Sequence, residues 1–154
     1  MKEKSDIAVV GGGPCGSFSA FTAARLGAEV SVFEEHREIG VHKHCAGHLS
    51  IAGLKRLGLR LPQEIIENEF KGAIFHSPSG KKLVIRCASP VTCVVNRELF
   101  DKYISNLAMK SGVQYFLESR VKSFLFDSGF VAGVSFRKGH VEKSLASGVV
   151  IDAE

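Results

Sequence analysis

At 154 residues the chain is long enough for one compact domain with its own core and too short for two of ordinary size. Hydrophobic residues make up 45% and charged residues 23%, as in soluble globular proteins, and the net charge of +4 comes from Lys and Arg scattered among acids, which argues against a nucleic-acid-binding patch. No stretch approaches the roughly eighteen apolar residues of a transmembrane segment, and Met1-Lys-Glu-Lys-Ser-Asp lacks the apolar core of a signal peptide, so a cytoplasmic location is expected.

The first elements form one continuous motif. An apolar run, Ile7 to Val10, leads into Gly11-x-Gly13-x-x-Gly16; an Ala-rich helix of about a dozen residues follows, and a second run, Val30 to Phe33, ends on Glu34. Strand, glycine turn, helix, strand and terminal acid in this order make a dinucleotide-binding βαβ unit. Gly11 permits the tight turn out of the strand, Gly13 lets backbone approach a pyrophosphate, and Gly16 lets the helix pack close to the strand. The phosphates then face unpaired N–H groups at the positive end of the helix dipole. Glu34 stands where an acid accepts hydrogen bonds from an adenosine ribose. The motif alone does not say which dinucleotide binds.

Residues 35–50 carry glycines, four histidines and little periodicity, and read as a loop. Ser50 is an N-cap for a short helix with Leu54 and Leu57, closed by Gly58. Phe70 to His76 and Lys81 to Arg86 form a hairpin about the Ser-Pro-Ser-Gly turn at 77–80, and Val91 to Val95 is a further short strand. Asn96 caps a helix in which Leu99, Phe100, Tyr103, Ile104, Leu107 and Ala108 recur at helical spacing, ended by Ser111-Gly112. Strands follow at Val113 to Phe116, Val121 to Phe126, Val131 to Phe136 and Val141 to Leu145, with Asp127-Ser-Gly and Arg137-Lys-Gly-His as the turns of a small antiparallel meander. Val149 to Ile151 reads as a central parallel strand buried on both faces. Its end at Asp152-Ala153-Glu154, where a ligand-facing loop is due, implies a fragment of a longer protein.

Cys15, Cys45, Cys87 and Cys93 form no Cys-x-x-Cys pair and are expected as reduced thiols, with Cys87 and Cys93 in strands. His42, His44, Cys45 and His48 crowd together without a second ligand pair at zinc-site spacing, so no metal site is expected. Arg97 opens a helix, where a cation opposes the dipole, and this calls for an anionic partner. The phenylalanines of residues 116–136 belong to core or interface, with contact to lipid a lesser reading.

Three segments resemble the geranylgeranyl reductases, within the wider group of flavoprotein hydroxylases and reductases: Val9-Val-Gly-Gly-Gly-Pro-Cys-Gly-Ser, Arg37-Glu-Ile-Gly-Val-His-Lys-His-Cys-Ala-Gly-His-Leu-Ser and Asn96-Arg-Glu-Leu-Phe-Asp-Lys-Tyr-Ile. The terminal Val-Ile-Asp-Ala-Glu is similar to the start of that group's Asp-containing loop. The resemblance implies an α/β fold: a Rossmann-like FAD-binding domain with a parallel sheet, a three-stranded antiparallel meander and a small inserted hairpin, incomplete here. Residues 1–154 would be the N-terminal part of a single FAD-binding domain, with further FAD- and substrate-binding portions beyond it. By position, Gly11, Gly13, Cys15 and Gly16 would wrap the FAD pyrophosphate and Glu34 would hold the ribose. Cys45, Ala46 and Gly47 would lie along the flavin, with Cys45 the candidate catalytic thiol. Arg97 would reach FAD, Val121 would offer a backbone contact near the adenine, and Asp152 and Glu154 would face the ribityl or phosphate region. The chain departs from the family at Cys15, usually Ala, and at Gly47-His48, where a Glu is common.

Members of that family hydrogenate isolated carbon–carbon double bonds of isoprenoid chains. The resemblance therefore implies FAD, an external reductant such as NAD(P)H or ferredoxin, and an isoprenoid lipid substrate, and leaves peripheral membrane contact open. Two alternatives stand beside it: a flavin-dependent monooxygenase or halogenase of the same group, and a non-catalytic nucleotide-binding module.

Overall fold

The computed structural model describes residues 4–41 and 45–154. His42 and His44, weighed above as metal ligands, lie outside the described residues. In chain order the elements are β1 (Lys4–Val10), α1 (Pro14–Arg25), β2 (Val30–Phe33), β3 (His48–Ser50), α2 (Ile51–Arg56), a 3₁₀ turn (Gln63–Ile65), β4 (Ile66–Phe70), β5 (Gly72–His76), β6 (Lys82–Arg86), β7 (Thr92–Val95), α3 (Arg97–Lys110), β8 (Gln114–Phe116), β9 (Ser119–Asp127), β10 (Phe130–Lys138) and β11 (Val141–Asp152). The described parts of Met1–Val41 and Asp101–Glu154 form one compact unit, and those of His42–Phe100 a second.

Local signals set the helices. Pro14 at the first helical position has its φ preset and no N–H to leave unpaired, so α1 starts directly after the extended Gly13. Ser50 Oγ accepts the Gly53 N–H at 3.2 Å at the head of α2. Asn96 Oδ1 accepts the Leu99 N–H at 3.2 Å at the head of α3. Among the described residues no helix is long and apolar enough to cross a membrane.

The first unit is built on a six-stranded mixed sheet, ordered β8-β2-β1-β11-β10-β9. β8, β2, β1 and the second half of β11 run parallel, while β9, β10 and the first half of β11 form the antiparallel meander. One face packs under the helices through Val9, Ala20, Val30, Val32, Ala108 and Val113. The other face closes on itself. Phe136 of β10 lies 4.6 Å from Phe33 of β2, ring centre to ring centre, although two strands separate them in the sheet. Phe33 in turn stacks on Phe116 at 5.0 Å. That contact requires the sheet to curl until the meander covers β1 and β2, and each aromatic side chain so buried contributes about 1.5–3 kcal/mol.

The second unit holds a three-stranded antiparallel sheet, β3-β7-β4, and the two-stranded ribbon β5-β6.

Several strand expectations need correction. The stretch read as a loop ends in β3, which is only three residues long and depends on pairing with β7 rather than on its own pattern. Phe70 closes β4, a strand not anticipated, and is not part of the hairpin; its segment Ile-Glu-Asn-Glu-Phe lacks clean alternation and is held by β7. Cys87 lies just past β6, its N–H donating to Lys71 O at 2.6 Å. Val141 to Leu145 and Val149 to Ile151 are one strand, because β10 and β1 supply ladders that carry the chain through the small residues Ala146-Ser147-Gly148. Val149 is 51% exposed and not buried on both faces, whereas Ile151 and Ala153 further along pack against the cluster that includes Ala20 of α1. Phe116 and Phe136 are core, whereas Phe124, Phe126 and Phe130 are exposed.

Candidate functional site: a glycine loop at the ends of the parallel strands

The sequence motif predicts that the first unit's site forms where β1 turns into α1. Gly11 has φ +93°, a conformation that excludes side chains, and its N–H donates to Phe33 O at 2.8 Å. Gly12 donates its N–H to Glu34 Oε2 at 2.8 Å. Its carbonyl accepts the Ser17 hydroxyl at 2.9 Å. A Cβ on Gly13 would meet no atom within 4 Å, so the loop is open on that side. A Cβ on Gly16 would run into Gly11 O, so the helix touches the turn there with no room for a side chain. The N–H groups of Gly13, at the N-cap, and of Cys15 and Gly16, in the first turn of α1, have no acceptor among the described residues.

A cavity of about 360 Å³ opens beside this loop, lined among others by Gly11, Gly13, Glu34, His36, Arg120 and Val121. Glu34 follows β2 and is heavily used. Besides Gly12, its carboxylate accepts the His36 N–H at 2.9 Å and bonds the His36 ring Nδ1 at 2.6 Å. A carboxylate has about four lone-pair positions, so roughly one remains for a ribose hydroxyl. Glu35 pairs with Arg120 at 3.3 Å across the mouth. Val121 is half-buried against the aromatic core. Asp152, paired in register with Val10, opens instead on a neighbouring cavity of about 320 Å³ that also touches Val121 and Glu154.

The structure thus brings Gly11, Gly13, Glu34 and Val121 to one cavity, with Cys15 exposed on the helix and Gly16 beneath it. Gly12, His36 and Arg120 were missed. Gly12 was visible in the run of three glycines. His36 and Arg120 gave no signal, because His36 is held by the Glu34 carboxylate and Arg120 is placed by β9 passing beside the end of β2.

In the second unit, Gly47 has φ +70° and sits against the end of β7. Its carbonyl accepts the Val95 N–H at 3.0 Å, and a Cβ on it would strike Val95 O and come within 3.3 Å of Arg97 Cγ. Gly47 and Arg97 are therefore neighbours, and Cys45 and Ala46 are exposed just before them. All four cysteines carry thiols rather than disulfides. Burial, and secondarily the charge of Glu69, pushes the Cys93 thiol up. Cys93 is also 1% exposed, so a maleimide at neutral pH should label Cys15 and leave Cys93 unmodified until the protein unfolds, as peptide mass mapping would show. Among the described residues no group of three or more His, Cys, Asp or Glu could hold a metal ion.

The family profile described as FAD dependent oxidoreductase matches residues 6–154. The chain belongs to the FAD-dependent oxidoreductases. It is 33% identical over 149 residues to digeranylgeranylglycerophospholipid reductase 2 of Methanopyrus kandleri, covering 97% of this chain and 37% of that protein. Against the digeranylgeranylglycerophospholipid reductase of Thermoplasma acidophilum it is 33% identical over 156 residues, covering 99% of this chain and 39% of the other. The chain spans about two fifths of these relatives' length. A crystal structure of a geranylgeranyl bacteriochlorophyll reductase-like protein from Thermoplasma acidophilum matches all of it, and 40% of that chain, with a TM-score of 0.92 and 32% identity. A flavin-dependent brominase matches 98% of it with a TM-score of 0.81 and 25% identity. The glycine loop of this FAD-dependent oxidoreductase fits the family's cofactor, because its unpaired donors and open side offer what a pyrophosphate needs.

Proposed function

We propose that the protein is a flavoenzyme that reduces carbon–carbon double bonds in the isoprenoid chains of lipids. The observation that carries this reading is the 33% identity, along nearly the whole chain, to digeranylgeranylglycerophospholipid reductases. An isolated alkene has no carbonyl to polarise, and FAD, when bound, supplies the hydride. The chain's own residues bind and orient. The N–H groups of Gly13, Cys15 and Gly16 hold the pyrophosphate, with Gly11 shaping the turn. Glu34 takes the ribose, the Val121 backbone meets the adenine, and Asp152 faces the ribityl or phosphate region. Ala46 and Gly47 lie along the flavin, Arg97 supplies a cation to the cofactor, and Cys45 Sγ holds the proton that the substrate carbon receives. NAD(P)H or ferredoxin is the reductant, and the protein works in the cytoplasm in peripheral contact with a membrane.

The test uses the intact protein. Purified material should show flavin absorbance and, once chemically reduced without oxygen, add two hydrogens per double bond to geranylgeranyl lipids, read by mass spectrometry. Cys45→Ser should lower turnover about a hundredfold while leaving FAD affinity unchanged. Absence of flavin, or no alkene reduction by the loaded protein, would sink the proposal. Full turnover in Cys45→Ser would remove the thiol from the mechanism. The likeness to a flavin-dependent brominase favours a second reading, oxygen chemistry at the same cofactor, which rapid reoxidation in air with hydroxylated or halogenated product would support.

A further inference from the structure

Tyr115 of β8 and Ser17 of α1 stand 98 residues apart in sequence, and the Tyr115 hydroxyl donates to Ser17 Oγ at 2.8 Å. Ser17 Oγ donates its single O–H to Gly12 O at 2.9 Å, so the hydrogen-bond relay has one direction, from Tyr115 through Ser17 to the glycine loop. Ser17 is fully buried. The Gly12 carbonyl and the Gly13 N–H belong to the same planar peptide unit and point opposite ways. Anchoring the carbonyl inward on Ser17 therefore turns the Gly13 N–H outward, on the side where Gly13 lines the cavity.

We propose that Tyr115 is a positioning residue for the cofactor pyrophosphate, holding the Gly12–Gly13 peptide through Ser17 so that the Gly13 N–H faces the phosphate. The inference rests on the FAD-binding reading above. The neighbouring bonds, Gly11 N–H to Phe33 O and Gly12 N–H to Glu34, secure the loop's donors but leave this carbonyl to Ser17. Burial raises the Tyr115 hydroxyl above its ordinary value, the bond to Ser17 pulling the other way, and it stays a donor through the neutral range.

The experiment measures FAD affinity by quenching of flavin fluorescence in the intact apoprotein, for wild type, Tyr115→Phe, Ser17→Ala and the double variant. Titrations are run well below each melting transition, where lost stability alone leaves Kd unchanged. Tyr115→Phe should weaken FAD about fivefold, and the double variant should bind no more weakly than Ser17→Ala, because the two side chains act in series. ADP, which carries the pyrophosphate, should show the same loss. Wild-type affinity in Tyr115→Phe, or losses that add, would overturn the relay and leave the cofactor reading intact. Failure of the wild type to bind FAD would overturn that reading and the relay with it.

Discussion

Replacing Gly16 with valine should cost about 3 kcal/mol or more and abolish FAD retention. The new Cβ would strike Gly11 O and come within 3.2 Å of Val9 Cγ1. Gly11 cannot yield. Its φ of +93° is specific to the turn, its N–H is bonded to Phe33 O at 2.8 Å, and on its far side the Ala153 carbonyl lies 2.8 Å from where its own Cβ would be. The helix must lift instead, which opens the packing of Ala20 on Val9 and swings the donors of Gly13, Cys15 and Gly16 off their mark. For a unit of this size the melting temperature should fall by roughly 10–20 °C. Calorimetry and the flavin content of the purified protein read both effects. Cys15→Ala, one residue away on the exposed side, should change stability by no more than about 0.5 kcal/mol and retain FAD. Gly16→Val protein with normal flavin content would show that the close approach is not needed.

The second large effect is expected at Glu34. Glu34→Ala removes the acceptor of three bonds: the Gly12 N–H, the His36 N–H and the His36 ring. Gly12 is buried, and leaving its donor unpaired costs about 1–3 kcal/mol. In the cofactor site proposed above, the ribose would lose its partner in the same step. Together these should raise the Kd for FAD about a hundredfold, with a smaller loss for flavin mononucleotide, which lacks the adenosine ribose that Glu34 would hold. Glu34→Gln should fall between, because its amide keeps one accepting oxygen and sets an NH₂ group against a donor. Equal affinity in all three proteins would remove Glu34 from the cofactor site.

Much of this site is legible in the order of residues alone. Gly11, Gly16 and Glu34 are tied to their neighbours by a turn, a helix start and a strand end, all within 29 residues, and Ser50 and Asn96 announce their helices by bonding three residues ahead. β3 and β4 could not be read so, since neither has a pattern strong enough to form without β7. His36 and Arg120 escaped for another reason: one is fixed by Glu34 and the other lines the same cavity only because β9 returns beside β2.

Chain order therefore settles the βαβ unit and the capped helices, because hydrogen bonds over three or four residues and apolar periodicity are short-range properties. The kinship with FAD-dependent oxidoreductases comes from the resemblance of whole segments and not from periodicity. Three-dimensional packing settles the rest. The curl that sets Phe136 on Phe33, the single long β11 and the bond from Tyr115 to Ser17 each join segments whose separation in sequence says nothing of their distance in space. They depend on strand register and on which face of the sheet is covered, and both follow only from the assembled sheet.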